Sequence, residues 1–187
     1  PKKIILNPNF IQALPKKELF SGLGEMGHYF FLSNQKDYIF YKNFLKNIKV
    51  KKKLDIYKMI FKSLLIKKKY IEKDEFDKNI RLKLNYGHTF GHAIENLTNL
   101  PHGISVAHGM DISNYISFKN SLIPHETYLD MTKTLNVITQ KYKIENLNIN
   151  KMIKLLKKDK KSTKKSIRVI LTKGIGKMFL ANINDEN

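Results

Sequence analysis

Apolar residues recur every three or four positions along most of the chain, and these intervals divide it into a series of amphipathic helices. The spacing predicts a helix from about Lys16 to Leu32, interrupted or tightened at "SGLGE", where Ser21 and two glycines fall. "KDYIFYKNFLKNI" and "KLDIYKMIFKSLLIKKKYIEK" carry the same rhythm and read as two further helices. The acidic "DEFD" that follows suits a helix start. "GISVAHGMDISNYISF" and "ETYLDMTKTLNVITQKY" are two more helices separated by "NSLIPH", and "NKMIKLLKKDKK" is a short basic one. At the two ends the rhythm changes. "PKKIIL" reads as an opening strand before the turn and helix-start signals "NPNF" and "ALPKKE". "SIRVILTKGIGKMFLAN" reads as two short strands around a Gly-Ile-Gly turn. The fold class is therefore mainly α: one helical domain over residues 1–187, with a leading strand and a small late β-hairpin.

The segment "RLKLNYGHTFGHAIEN", residues 81 to 96, departs from the plain amphipathic pattern. Taken as one helix over 81–97, it sets Arg81, Asn85, His88, His92 and Glu95 at steps of four, three, four and three, and so on one stripe. The other face carries Leu82, Leu84, Phe90, Ala93, Ile94 and Leu97, with Gly87 and Gly91 permitting close backbone approach. Lys and Glu would serve a solvated face; Arg, Asn, His and Glu together are groups that bind anions, metals and protons. Two imidazoles four residues apart can both reach one ion, and either can equally be an ordinary hydrogen-bonded residue. The spacing alone leaves both readings open. Just downstream, "LPHG" places His102 at a turn, and far upstream "SGLGEMGHYF" places Glu25 on a helix among small residues. A His-His-carboxylate set with open positions is a catalytic Zn²⁺ pattern rather than a closed structural one.

Composition narrows the chemistry. Cysteine is absent, so any metal here must be held by His and carboxylates. With 187 residues and 42% hydrophobic content the chain can bury the core of one domain. No apolar run reaches the length of a bilayer span, so the chain is expected to be soluble. The formal net charge of +19 raises nucleic-acid binding as a function. The basic residues are overwhelmingly lysine, however, with arginine only at Arg81 and Arg168, whereas base readout favours arginine. The runs at Lys49 to Lys53 and Lys67 to Lys69 also fall at or inside helices rather than in a tail. A lysine-biased surface explains them better than a nucleic-acid or membrane partner does.

The pattern "R..LN.GHT.GHA.E" over residues 81–95, followed by "HG" at 102–103, resembles the signature segment of the 3-dehydroquinate synthases, within the sugar-phosphate cyclases. "IILNPNFIQALPKKELFSGLGE", "IKKKYIEKDEFDKNIR" and "KKDKK…SIRVILTKGIGK" are similar to other parts of the same family's C-terminal domain. The resemblance implies a helical metal- and substrate-binding domain, normally preceded by an NAD-binding α/β domain that this chain does not match. "KGIGK" reads as a hairpin turn rather than a phosphate loop, so the chain reads as a C-terminal fragment. By the same resemblance, Glu25, His88 and His102 hold a divalent metal, Zn or Co, and His92 is a substrate-facing acid/base residue. Lys67, Arg81 and Asn85 bind the anionic groups and hydroxyls of the substrate, and Lys160 or Lys161 adds another positive group. A guanidinium reads a carboxylate or phosphate as a fork, and a lysine acts as a point charge.

The implied reaction is a carbon–oxygen lyase step of the shikimate pathway of aromatic amino acid biosynthesis. It converts 3-deoxy-arabino-heptulosonate 7-phosphate to 3-dehydroquinate with release of phosphate, using NAD⁺ as a transient oxidant. The resemblance further implies a small anionic sugar-phosphate as partner, a homodimer in the full-length protein, a cytoplasmic location, and no turnover by the fragment alone. Two positions depart from the family: His28 stands where a lysine is usual, within "GEMGH", and His108, in "VAHGM", where an aliphatic residue is common and a packing or supporting role is expected. Another sugar-phosphate cyclase is the alternative reading, and a basic helical nucleic-acid-binding domain a third.

Overall fold

Proline residues and one asparagine set where several of the helices begin. The protein is seen in a computed structural model that describes residues 3, 5, 7–48, 53–158 and 166–184. In chain order its helices are α1 (Lys16–Leu32), α2 (Gln35–Lys46), α3 (Lys53–Lys73), α4 (His88–Leu97), α5 (His102–Lys119), α6 (His125–Thr139) and α7 (Ile149–Lys158). Strands β1 (Ser166–Thr172) and β2 (Met178–Asn184) follow. Helices α1, α5 and α6 each start on the residue after a proline, Pro15, Pro101 and Pro124. The proline's fixed φ holds the chain extended there while its carbonyl accepts the first helical N–H. At α2, the Asn34 side chain accepts from the Asp37 N–H at 3.0 Å, a side-chain N-cap.

Helix α5 is the axis of the domain. It packs on α1, α4, α6 and β1, and residues such as Ile104, Val106, Ala107, Met110 and Asn114 are buried around most of its circumference. One core lies between α5 and helices α1, α2, α3 and α6, built on Phe30, Phe31, Tyr38, Tyr41, Met59 and Leu135. Tyr41 stacks on Phe30 with ring centres 5.2 Å apart and donates its hydroxyl to the Leu23 carbonyl at 2.8 Å. A second core joins α4 and α7 to the hairpin through Phe90, Ile94, Met152, Leu156, Val169 and Leu171. Each such side chain contributes roughly 1.5–3 kcal/mol when fully buried.

The hairpin is antiparallel, in register from Ser166 opposite Asn184 to Thr172 opposite Met178. Its turn is docked on the end of α1: the Gly176 N–H donates to the Phe31 carbonyl at 2.9 Å. The Tyr70 hydroxyl donates to Leu32 O at 2.9 Å, so two carbonyls of the last α1 turn find partners. "KGIGK" is a hairpin turn, as the sequence predicts. Among the described residues no helix is long and apolar enough to cross a membrane.

Most helices lie where the apolar rhythm places them, and α1 runs unbroken through "SGLGE". The structure corrects three readings. "NPNF" opens a 3-10 segment, Pro8–Ala13, rather than a simple turn. "DEFD" starts no helix: Asp74 accepts backbone N–H bonds from Lys78, Asn79 and Arg81, tying a loop together. Residues 81–97 are not one helix but a 3-10 segment, Ile80–Asn85, then a break at Tyr86 and Gly87, then α4. Of the expected opening strand, Pro1, Lys2, Ile4 and Leu6 lie outside the described residues, as do Lys49 to Lys52 and the Asp159-Lys160-Lys161 run.

The break has a local cause. Gly87 has φ +81°, the left-handed region that glycine occupies without penalty, and a Cβ there would lie 2.5 Å from Met110 Cγ and 2.8 Å from Val106 O. Gly87→Ala is therefore expected to lower stability by about 1–3 kcal/mol, from backbone strain of this kind. Thermal unfolding checks it; an unchanged midpoint would mean that the turn does not need the left-handed conformation.

Candidate metal centre

Three segments converge on Glu25. It lies on α1, His88 is the first residue of α4 and His102 the first of α5. Nε2 of His88 is 3.5 Å from Glu25 Oε2, and Nε2 of His102 is 3.4 Å from the same oxygen. The donor atoms of the three residues all lie within 4.8 Å of one another. His92, one helical turn after His88, completes a triangle of rings: His88–His92 5.6 Å, His88–His102 5.4 Å, His92–His102 5.5 Å between centres.

Glycines let these segments meet. A Cβ on Gly24 would lie 2.1 Å from Gly103 O, and one on Gly103 would lie 1.8 Å from Ser21 O. Where α1 crosses the start of α5 there is thus backbone against backbone, one residue from Glu25 on one side and from His102 on the other. The Gly103 N–H donates to Ser21 Oγ at 3.1 Å, which sets the register of that crossing.

The site's electrostatics follow from this packing. Burial alone would raise the Glu25 carboxyl, but the facing imidazoles, His88 foremost, outweigh it and hold its pKa at about 2. Glu25 Oε2 is nevertheless buried without a hydrogen-bond partner, and the 3.4–3.5 Å approaches are longer than formed N–H···O bonds. An orphaned buried carboxylate oxygen is costly unless something else satisfies it. The donor spacing says what fits. Zinc bonds of ~2.0–2.1 Å in a tetrahedron place ligand atoms about 3.3 Å apart, close to both measured edges. The residues present therefore suit a divalent ion held by two imidazoles and one carboxylate, with a further coordination position free for another ligand.

His28 sits beside this group. It is buried, with its ring centre 4.9 Å from that of His88 and Nδ1 3.9 Å from Glu25 Oε1. Burial drives its pKa down to about 3 against the pull of the Glu25 carboxylate, so it is neutral at pH 7. Where a lysine would bring a positive charge, this chain has an uncharged ring. Lys67, on α3, is half-buried, with its Nζ 5.7 Å from the centre of the Tyr29 ring next to His28.

Arg81 and Asn85 do not share a helical stripe with the histidines. They lie on the 3-10 segment before the break, where Arg81 Nη1 donates to Glu75 O at 2.7 Å and the Asn85 amide to Leu82 O at 2.9 Å. Lys160 and Lys161 lie outside the described residues. His108 is a packing residue; its Nε2–H donates to the Tyr142 carbonyl at 2.8 Å. A depression of about 260 Å³ lies beside the exposed His92 and is lined also by Thr89, Asn96 and Lys158. A depression of about 610 Å³ between the start of α6 and the hairpin turn contains none of the imidazoles. Sequence reasoning missed the hydrogen bond from His102 Nδ1 to Glu95, although Glu95 stands on the polar stripe.

Residues 22–162 match the family described as 3-dehydroquinate synthase C-terminal. A curated 3-dehydroquinate synthase of Dictyoglomus thermophilum is 34% identical over 194 residues, covering 100% of this chain and 53% of the relative. One from Helicobacter pylori (strain P12) is 32% identical over 186 residues, covering 97% of this chain and 52% of the relative. The chain thus spans about half the length of the curated relatives it matches. Among solved structures, a 2-deoxy-scyllo-inosose synthase complexed with carbaglucose-6-phosphate, NAD⁺ and Co²⁺ aligns with a TM-score of 0.81 at 22% identity, over 92% of this chain and 51% of that one. A 2-epi-5-epi-valiolone synthase from Streptomyces hygroscopicus with NAD⁺ and Zn²⁺ bound aligns at 0.76 and 16% identity, over 95% and 50%. At those identities the likeness is one of fold.

Proposed function

The chain belongs to the 3-dehydroquinate synthase family, as its C-terminal domain, and from that premise we propose that it supplies the metal- and substrate-binding half of such an enzyme. The observation that carries the proposal is the convergence of Glu25, His88 and His102, with their donors within 4.8 Å and the Glu25 oxygen otherwise unsatisfied. These three residues would hold a divalent ion, Zn²⁺ or Co²⁺. Such an ion polarises hydroxyl oxygens of a bound substrate and lowers their pKa.

The chain's own residues do the rest. His92 is exposed beside the metal ligands, in position to take a proton from the substrate or return one. Lys67 and Arg81 would meet the phosphate and carboxylate of the heptulosonate 7-phosphate, and Asn85 a hydroxyl. Arg81 then exchanges its bond to the Glu75 carbonyl for one to the substrate. Holding the substrate at several points lets successive steps share one geometry. NAD⁺ would be bound mainly by a domain outside this chain, in a full-length homodimer, so the chain alone is expected to bind metal without releasing phosphate.

The test is metal dependence. In the full-length protein, chelation is expected to abolish phosphate release from 3-deoxy-arabino-heptulosonate 7-phosphate, and Zn²⁺ or Co²⁺ to restore it. Full activity after complete removal of metal would sink the reading. Another sugar-phosphate cyclase is the second reading, favoured by the fold likeness to the inosose and valiolone synthases. Release of phosphate from a hexose 6-phosphate without a carboxylate, and none from the heptulosonate, would select it.

A further inference from the structure

Resting on the metal centre proposed above, we propose that Glu95 is a positioning residue for that centre and acts through His102. A neutral imidazole has one N–H and one lone pair, so the partner of one nitrogen dictates what the other offers. His102 lies between two carboxylates: Nδ1 is 2.9 Å from Glu95 Oε2, and Nε2 is 3.4 Å from Glu25 Oε2. The first contact is a hydrogen bond, whereas Glu25 Oε2 has no hydrogen-bond partner. The proton therefore belongs on Nδ1, and the Nε2 lone pair faces Glu25.

His88 is arranged in the same sense, with Nδ1 3.2 Å from the Tyr86 carbonyl and Nε2 3.5 Å from Glu25 Oε2. Both rings thus present Nε2, but their supports differ. A carbonyl holds His88 as a dipole. A carboxylate holds His102 with a full charge, which makes Nε2 a stronger donor and, together with Glu25, balances a divalent ion. Helix α4 then serves the centre twice, supplying His88 at its first turn and, two turns later, the group that orients the ligand from α5.

The same atoms offer a rival use, because His92, Glu95 and His102 also bring donors within 4.8 Å of one another. The 2.9 Å contact is shorter than the ~3.3 Å edge of a tetrahedral zinc site. Moving the proton to Nε2 would also take the His102 lone pair away from the Glu25 site. Positioning is the better account of that pair.

Co²⁺ titration of the metal-free full-length protein, followed by visible absorption and by competition with a chelator, tests it. Glu95→Ala is expected to weaken Co²⁺ binding about tenfold, the low end for loss of such a support because the pair is partly exposed. It should also alter the Co²⁺ spectrum and leave the thermal midpoint of the metal-free protein unchanged. Glu95→Gln, whose amide oxygen still accepts from Nδ1, should recover part of the affinity. Wild-type affinity in E95A, with binding lost in His102→Ala, would overturn the positioning role while leaving the metal centre. Wild-type affinity in both variants overturns the role and the centre together. Two ions per chain falling to one in E95A would overturn it in favour of a second site. A lowered metal-free midpoint without rescue by E95Q would assign Glu95 to structure alone.

Discussion

Replacing Glu25 by alanine is expected to abolish stoichiometric binding of divalent metal at this centre. If the ~10–16 kcal/mol of a four-ligand zinc site is shared among its ligands, loss of one costs about 2.5–4 kcal/mol. That is on the order of a hundred- to a thousandfold in affinity. His88→Ala should show the same scale of loss, because its Nε2 faces the same Glu25 oxygen at 3.5 Å. Glu25 Oε2 is buried with no hydrogen-bond partner while the facing imidazoles favour the ionised carboxylate, so the substitution removes an unsatisfied oxygen and a favourable charge contact together. The expected signature is an E25A protein that gains no thermal stability from added Zn²⁺, where wild type does. Retention of full metal content by His88→Ala would count decisively against the assignment.

The second large effect is expected from Gly103→Ala. The added Cβ would lie 1.8 Å from Ser21 O and 2.8 Å from the backbone nitrogen of Glu25. These are backbone atoms, so no side-chain rotation relieves the overlap, and α1 and the start of α5 must move apart. Overpacking of this kind lowers stability by about 1–3 kcal/mol, and a clash this short belongs at the upper end. The separation would also carry His102 away from Glu25, so metal affinity should fall with the thermal midpoint. Gly22→Ala is the control on the same helix. Nothing lies within 4 Å of a Cβ there, and alanine should stabilise a helix interior by up to ~1 kcal/mol. Equal midpoints for G103A and G22A would refute the close crossing as the device that sets the ligand spacing.

Helices such as α3 were legible because burial of one face imposes a three- and four-residue rhythm that any reader of the chain can follow. "KLDIYKMIFKSLLIKKKYIEK" coincides with Lys53–Lys73. The rhythm failed at residues 81–97 for a physical reason. A 3-10 turn and an α-turn place side chains at similar intervals, so the pattern runs across the break without a mark. The extended ψ of Tyr86 and the left-handed φ of Gly87, which packs against Met110 and Val106, separate the two. Arg81 and Asn85 consequently left the helical stripe while His88, His92 and Glu95 stayed on it.

By itself, then, the sequence determined the helical class, the late hairpin, the absence of thiolate ligands and the set of groups capable of metal and anion chemistry. It also carried the family signature that singled out Glu25, His88 and His102. Distance was decided by the tertiary structure. Glu25 and His102 are neighbours because Gly24 and Gly103 let two backbones touch, and no local periodicity encodes a contact between residues far apart in the chain. The protonation pattern of the imidazoles was decided there too. Whether a histidine offers Nε2 or Nδ1 depends on which acceptor the fold brings to its other nitrogen: the Tyr86 carbonyl for His88 and the Glu95 carboxylate for His102.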